Sequence, residues 1–454
     1  MLLKKVAIIG IGKTGLATAA FLAKKGIHLA VTDEKPVSLW GEALTFLKNL
    51  PAEVTIAPYS PEILDDVVLV VPSPGVSPAN PILVEAVRLG IAVLSELELA
   101  SRFLETPMIA ITGTNGKTTT TSLIGAILRK AGKNVFVGGN IGEPLIGYAD
   151  GPQKADWAVV EVSSFQLQWI QNFHPKIALL LNVTPDHIDY HGNLASYRAI
   201  KEKIFARQTS GDLAILNGNE EQSGALGKRL TAQTEFFHCD RNIVDDPPQA
   251  AFCGMFKDGN ILVHISPDGK REEYPVGMIT LPGSHNLENV MAAIMAARGC
   301  GCSPADIIKA VTEFRSLAHR IEYVHEKNGV RFYDDSKGTN VGAVLRAIES
   351  FSEPIILLLG GRDKEGDFET LIPSIEKNVK ETVLFGEARE KINGLIGKAV
   401  KTTMQKTLKA ALQTAFEQAS PGDVVLLSPG CASFDEFKNY KERGDRFREW
   451  VKQL

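Results

Sequence analysis

The stretch Met108-Ile109-Ala110-Ile111-Thr112-Gly113-Thr114-Asn115-Gly116-Lys117-Thr118-Thr119 decides how this chain is read. Its first five residues predict a buried strand over 108–112. Gly113 to Thr119 follow as a loop, and residues 118–130 carry a helix pattern with Gly132 just beyond. A strand, a glycine-bearing loop and a helix in this order offer backbone N–H groups to a polyphosphate. Lys117 is then placed to reach the β- and γ-phosphates, and the Thr118 hydroxyl to bind Mg²⁺. The spacing departs from GxxxxGK[ST], because Ile111 stands where that pattern has glycine. The loop therefore reads as a variant P-loop. The plain alternative is a Gly-rich turn with a solvated lysine.

Around this stretch the 454-residue chain has room for about three domains at ~150 residues each. Lys and Arg total 49 against 53 Asp and Glu, a formal net charge of −4. With 44% hydrophobic and 22% charged residues, the chain reads as globular rather than disordered or coiled-coil. The balance disfavours a nucleic-acid partner that needs a broadly basic surface. No apolar run approaches the ~18–20 residues of a membrane span, and the start MLLKKVAIIGIGKTG does not read as a signal peptide. The five cysteines, Cys239, Cys253, Cys300, Cys302 and Cys431, are scattered and form neither a disulfide framework nor a zinc set. Buried thiols in a reducing cytoplasm are expected.

Toward the N-terminus, a strand over 6–9 runs into Gly10-x-Gly12-x-x-Gly15, then a helix to 25 with Gly26 at its end, then a strand over 28–32. Glycines here let backbone approach a phosphate at the helix N-terminus. Asp33 closes the next strand, 18 residues after Gly15, where a ribose-binding acid would stand. A dinucleotide, another diphosphate such as a UDP-sugar, and an empty turn all fit. A further strand over 67–71 ends in Pro72-Ser73-Pro74-Gly75.

Toward the C-terminus, strands are predicted over 158–162, 177–183 and 214–216. Between about 230 and 280, Asp258-Gly259 and Asp268-Gly269 predict hairpins, and a helix follows over 281–298. From about 315, strands over 330–333, 355–359, 382–385 and 424–427 alternate with helices. The whole reads as α/β: an N-terminal Rossmann-like sheet (1–105), a central P-loop domain with added hairpins (106–314) and a C-terminal Rossmann-like sheet (315–454).

Individual residues carry less. Glu161 at a strand end could reach a metal on the rim of a parallel sheet, or be an ordinary loop acid. His187, just after the next strand, gains weight only beside it. Lys201 lies in a helix over 195–208 of mixed polarity, and its spacing alone reads as a solvated lysine. Three polar loops, 333–340, 360–364 and 428–435, follow strands of the third sheet and suggest a cleft for an anionic ligand.

Taken in order, 113–119, Glu161-Val162-Ser163-Ser164-Phe165-Gln166-Leu167, 182–187, Leu281-Pro282-Gly283-x-His285-Asn286-x-x-Asn289, His319-Arg320 and Asp335-Ser336-Lys337 resemble the Mur ligase family over nearly the whole chain. Ser73-Pro74-Gly75-Val76, 161–167 and 428–437 resemble its D-glutamate-adding member. The resemblance implies an ATP-dependent ligase that joins D-glutamate to UDP-N-acetylmuramoyl-L-alanine through an acyl phosphate. NAD is then not expected at the first glycine loop. Thr14, Gly15, Asp33 and Ser73 are implied as UDP-substrate contacts, with Asn140 near the muramoyl end. The resemblance also turns Lys201 into a carbamylated lysine that, with Thr118, Glu161 and His187, helps hold two Mg²⁺ ions. Gly113–Thr119, Asn286, Asn289, Arg320 and Asp335 are implied on ATP and Lys337 near its phosphates. Thr339, Lys364, Ser433 and Phe434 are implied on D-glutamate. A cytoplasmic monomer is expected, with domain closure needed for chemistry.

Overall fold

The computed structural model describes residues 5–238, 253–281 and 283–454. Its strands form three sheets in chain order. The first contains β1 (Lys5–Ile9), β2 (His28–Thr32), β3 (Val54–Ile56), β4 (Val67–Pro72) and β5 (Ala92–Val93), all parallel, in the order β3-β2-β1-β4-β5. The order reverses at β1, and the helix Lys13–Lys24 starts just beyond its C-terminal end. A crevice at such a reversal is where open α/β sheets bind ligands.

The second sheet contains β6 (Met108–Thr112), β7 (Val135–Gly139), β8 (Trp157–Glu161), β9 (Ile177–Leu180), β10 (Leu213–Asn217), β11 (Gln233–His238), β12 (Gly254–Asp258), β13 (Ile261–Ile265) and β14 (Arg271–Pro275). Their order is β14-β13-β12-β11-β10-β9-β6-β8-β7. β7 through β12 are parallel, whereas β12-β13-β14 form the two antiparallel hairpins that the Asp-Gly pairs predict. β6 lies between β8 and β9, so the loops after all three share one rim. That neighbourhood brings residues 113–119 beside Glu161 and Asn182.

The third sheet contains β15 (Glu322–Lys327), β16 (Val330–Asp334), β17 (Ile355–Gly360), β18 (Val379–Phe385), β19 (Thr402–Met404) and β20 (Val424–Gly430), ordered β15-β16-β20-β17-β18-β19. Only β15 runs antiparallel to its neighbour. The chain thus has the three-sheet α/β plan expected from the sequence.

Local differences have local causes. The helix predicted over 195–208 is an α-helix only over Leu194–Glu202 and tightens to a 3-10 turn over Lys203–Phe205. The strand predicted over 177–183 ends at Leu180, because Asn182 turns away to bond Asn115. The helix predicted from 281 starts at Ser284. Cys300, Cys302 and Cys431 are buried and Cys253 is half-buried, all as free thiols; Cys239 lies outside the described residues. Among the described residues, no helix is long and apolar enough to cross a membrane.

One apolar core runs through the first two sheets. It joins Ile8, Leu22 and Val31 to Ala110, Val160 and Leu180. The third sheet buries two cores of its own, one on each face, around Leu357 and around Phe332. Polar bonds bridge the units as well. Lys13 Nζ donates to Gly142 O at 2.5 Å, and Asn340 Nδ2 to Asp186 Oδ2 at 2.9 Å.

Candidate active site

The loop after β6 is fixed by side chains around it. Thr114 N–H donates to Asn182 O at 2.9 Å and Asn115 N–H to Asn182 Oδ1 at 2.9 Å. Thr114 Oγ1 donates to Thr184 O at 3.0 Å. Gly116 has φ +86°, and a Cβ there would stand 2.1 Å from Asn289 Oδ1. The position therefore demands glycine twice, for backbone conformation and for space. Ile111 is buried within β6, so the glycine loop begins at Gly113 and is shorter than the common pattern.

Lys117 opens the helix Lys117–Lys130 and turns back over the loop. Its Nζ donates to Gly113 O at 2.8 Å and to Thr114 O at 2.9 Å. Thr118 Oγ1 donates to Glu161 Oε2 at 2.7 Å, and Asn140 Nδ2 to Glu161 Oε1 at 2.8 Å. Lys201 is not the solvated residue its spacing suggests. It is 1% exposed, its Nζ donates to Gly113 O at 2.9 Å, and it lies 4.5 Å from the centroid of the Tyr197 ring. Burial first, and then the charge of Lys117, hold its pKa well below that of a free lysine. Burial lowers Lys117 as well. His187, at φ +54°, packs its ring edge-on to Phe165 with centroids 4.8 Å apart. Thr118, Glu161, His187, Lys201 and Lys337 all line one polar cavity.

A second cavity adjoins it, lined by Asn115, Gly116, Thr119, Asn286, Asn289, Arg320 and Asp335. It lies between the central and third sheets. Arg320 crosses from the latter, and its Nη2 donates to Thr118 Oγ1 at 2.5 Å. Asp335 is buried and accepts from Ser428 Oγ at 2.8 Å; burial pushes its pKa up to about 7 despite that bond. Lys337 Nζ lies 4.1 Å from the Tyr440 ring centroid, and burial, then Arg320, bring its pKa down to about 8.

The cleft between the first two sheets is lined by Thr14, Ser73 and Asn140 with Gly12, Lys13 and Gln166. Gly15 allows close packing there, since a Cβ would stand 1.9 Å from Gly10 O. Asp33 holds the glycine loop itself: Oδ2 accepts from Ile11 N–H at 2.9 Å and Oδ1 from Lys35 N–H at 2.9 Å. At the other end, Thr339 lines the polar cavity of Lys201 and Lys337 and, with Lys364, a third cavity between the domains. Ser433 and Phe434 lie after β20 and line none of these cavities. Ser433 is buried, whereas Phe434 is 62% exposed.

Three sequence profiles match in chain order: the Mur ligase MurD-like N-terminal domain over residues 4–95, the Mur ligase middle domain over 111–297, and the Mur ligase glutamate ligase domain over 319–431. The chain belongs to the Mur ligase family. Among its relatives, UDP-N-acetylmuramoylalanine–D-glutamate ligase from Syntrophus aciditrophicus is 54% identical, covering 99% of this chain and 98% of the relative. The protein of the same name from Acidobacterium capsulatum is 43% identical over 99% and 96%. Solved structures share the fold. MurF from Acinetobacter baumannii aligns with a TM-score of 0.61 at 15% identity, covering 98% of this chain and 93% of that one. MurC from Thermotoga maritima aligns at 0.58 and 19%, covering 99% of each.

This Mur ligase also builds its site with Arg443, a residue that sequence patterns do not pick out. Arg443 is 1% exposed. Its guanidinium donates to Ser336 Oγ, Ser336 O and Cys431 O at 2.8–3.1 Å, tying together the loops after β16 and β20. His319 Nδ1 and Asp334 Oδ2 are 2.7 Å apart, beside Arg320. Gly444 leaves room for that pair, since a Cβ would stand 2.2 Å from His319 Nδ1. Asn182, which opens the 182–187 motif, stands just after a buried strand and bonds the loop after β6 with both its acceptor and its donor.

Proposed function

We propose that this chain is an ATP-dependent ligase forming the C–N bond between UDP-N-acetylmuramoyl-L-alanine and D-glutamate, in the building of a peptidoglycan precursor. Family membership and the names of relatives that match end to end support the substrates. The observation that carries the chemistry is the convergence of Lys117, Thr118, Glu161 and Lys201 on one rim, with Arg320 reaching Thr118 from the third sheet.

The donor set fits magnesium. A carboxylate and a hydroxyl stand 2.7 Å apart at the mouth of a phosphate loop, and hard oxygen donors suit Mg²⁺. Thr118, Glu161 and His187 would hold it. Bound there, magnesium would neutralise phosphate charge. Lys201 would contribute after carbamylation. Attack on CO₂ needs a neutral amine, and burial beside a second lysine lowers the pKa of Lys201 toward that form. Two ions are then accommodated.

An alanyl carboxylate is a poor acyl donor, because its leaving group would be oxide. Its oxygen attacks the γ-phosphorus of ATP, the bond to ADP breaks, and the acyl phosphate forms. The D-glutamate amine then adds to the acyl carbon, loses a proton, and phosphate leaves. The chain's own part is positioning and charge. Lys117, Arg320 and Lys337 present cations to the phosphates, while Asn286, Asn289 and Asp335 line the nucleotide cavity. Thr14, Gly15, Ser73 and Asn140 hold the UDP-sugar side, with Asp33 shaping its loop. Thr339 and Lys364 take the amino acid, and Ser433 and Phe434 join them as the loop after β20 adjusts. The enzyme works as a cytoplasmic monomer.

ADP release with UDP-N-acetylmuramoyl-L-alanine and a panel of D- and L-amino acids tests this. Turnover confined to D-glutamate is expected. Turnover with another amino acid alone would overturn the acceptor, and none with any of them would overturn the reaction.

A further inference from the structure

The helix Val341–Ile348 of the third sheet's domain lies against the central domain along one face. Its N-cap residue, Asn340, donates to Asp186. Gly342 is so close that a Cβ would stand 3.4 Å from Thr184 Oγ1 and 3.6 Å from Asn115 Nδ2. Arg346 is four residues on, so it falls on the same face one turn later. There it lines the nucleotide cavity opposite Glu288, which belongs to the central domain.

Glu288 is not a loose surface acid. Its oxygens accept from Asn217 Nδ2 at 3.3 Å and Asn219 Nδ2 at 3.1 Å. Glu220 stands nearby and also acts on Arg346. It accepts from Arg198 Nη2 at 2.7 Å, and Arg198 belongs to the helix Leu194–Glu202 that carries Lys201. Burial disfavours the charge on Arg346, and Glu288, then Glu220 and Glu349, favour it. Burial likewise disfavours the charge on Glu288, and Arg346 favours it. Burial outweighs these favouring charges at both groups, so each depends on the opposite charge that faces it across the partly buried cavity.

We propose that Arg346 is a positioning residue, an electrostatic latch facing Glu288 and Glu220 across the nucleotide cavity, that couples nucleotide binding to seating of the C-terminal domain. It touches no reacting atom. When the domain swings away, Arg346 and both carboxylates return to water and the cavity loses one wall. A nucleotide that fills the cavity favours the seated state, and the ion cluster favours the nucleotide by the same factor.

The latch rests on the nucleotide reading above, and the experiment separates the two. ADP is titrated into wild type, Arg346→Met, Glu288→Gln and the double variant, with small-angle scattering to follow compaction. Wild type that fails to bind ADP defeats the nucleotide reading itself. With wild type binding, Arg346→Met is expected to lose affinity on the order of tenfold, to compact less, and to raise KM for ATP more than it lowers kcat. The double variant is expected to be no weaker than Arg346→Met alone. Unchanged affinity and compaction in Arg346→Met, or losses from the two substitutions that simply add, overturn the latch. Thermal unfolding of the ligand-free variants, expected near wild type, shows that each is folded.

Discussion

Lys117 and Lys201 share one acceptor: their Nζ atoms lie 2.8 and 2.9 Å from Gly113 O. Two full ammonium charges around one buried carbonyl repel each other strongly in a low-dielectric site. Lys201 is the more deeply depressed of the two and so the more readily deprotonated. Under the proposed function, the neutral amine is the form that would take up CO₂. Replacing Lys201 with Ala should lower ADP release by on the order of 100-fold, and added acetate or formate should restore part of it. Wild-type rates in the variant would leave Lys201 a packing residue.

Asp335 gives a pH signature in the ligand-free protein. Its folded pKa, about 7, is raised above the usual carboxylate value by burial. The folded state therefore binds this proton more tightly than the unfolded chain. The resulting stability is complete below about pH 4 and is lost as pH rises through 7. Asp335→Asn should stabilise the protein at pH 8 relative to pH 5 by on the order of 2 kcal/mol, read from urea midpoints. An equal shift at both pH values would contradict the raised pKa.

Arg443 stitches two loops of the third domain from inside. Arg443→Met keeps much of the volume but leaves Ser336 O and Cys431 O without their donor. A loss of about 3 kcal/mol in unfolding free energy is expected, with a raised KM for ATP, because Ser336 lies between Asp335 and Lys337. A change below about 0.5 kcal/mol would place the guanidinium among ordinary surface charges.

Asp33 acts on the glycine loop through Ile11 N–H. Asp33→Ala should raise KM for the UDP-substrate about tenfold, the worth of one charge-assisted hydrogen bond, and leave KM for ATP nearly unchanged. The reverse ordering would assign the first sheet to the wrong substrate.

What the sequence makes legible here follows from the range of the forces involved. β6 and its loop are readable because an apolar run, two glycines and a lysine are all local. The Asp-Gly hairpins are readable for the same reason. Lys201 is opaque, since a helix of mixed polarity looks solvated until Tyr197 and the loop after β6 close around it. Arg443 is harder still, in a charged helix whose partner Ser336 is 107 residues away. β3, β5, β7, β11, β15 and β19 escape pattern reading because they are short, polar or rich in glycine, and neighbouring strands supply their order. Arg320 is recognisable only by family motif; its reach to Thr118 depends on how two domains meet.

The continuous apolar interior beneath the first two sheets divides the labour of the molecule. A hinge cannot open there without wetting side chains such as Leu22 and Val160, so the cleft between the first two sheets and the loop after β6 keep a constant spacing, like jaws cast in one piece. The third sheet carries its own interiors and can travel as a cassette. Under the proposed function, delivery of the amino acid and gripping of the nucleotide would both fall to that one part.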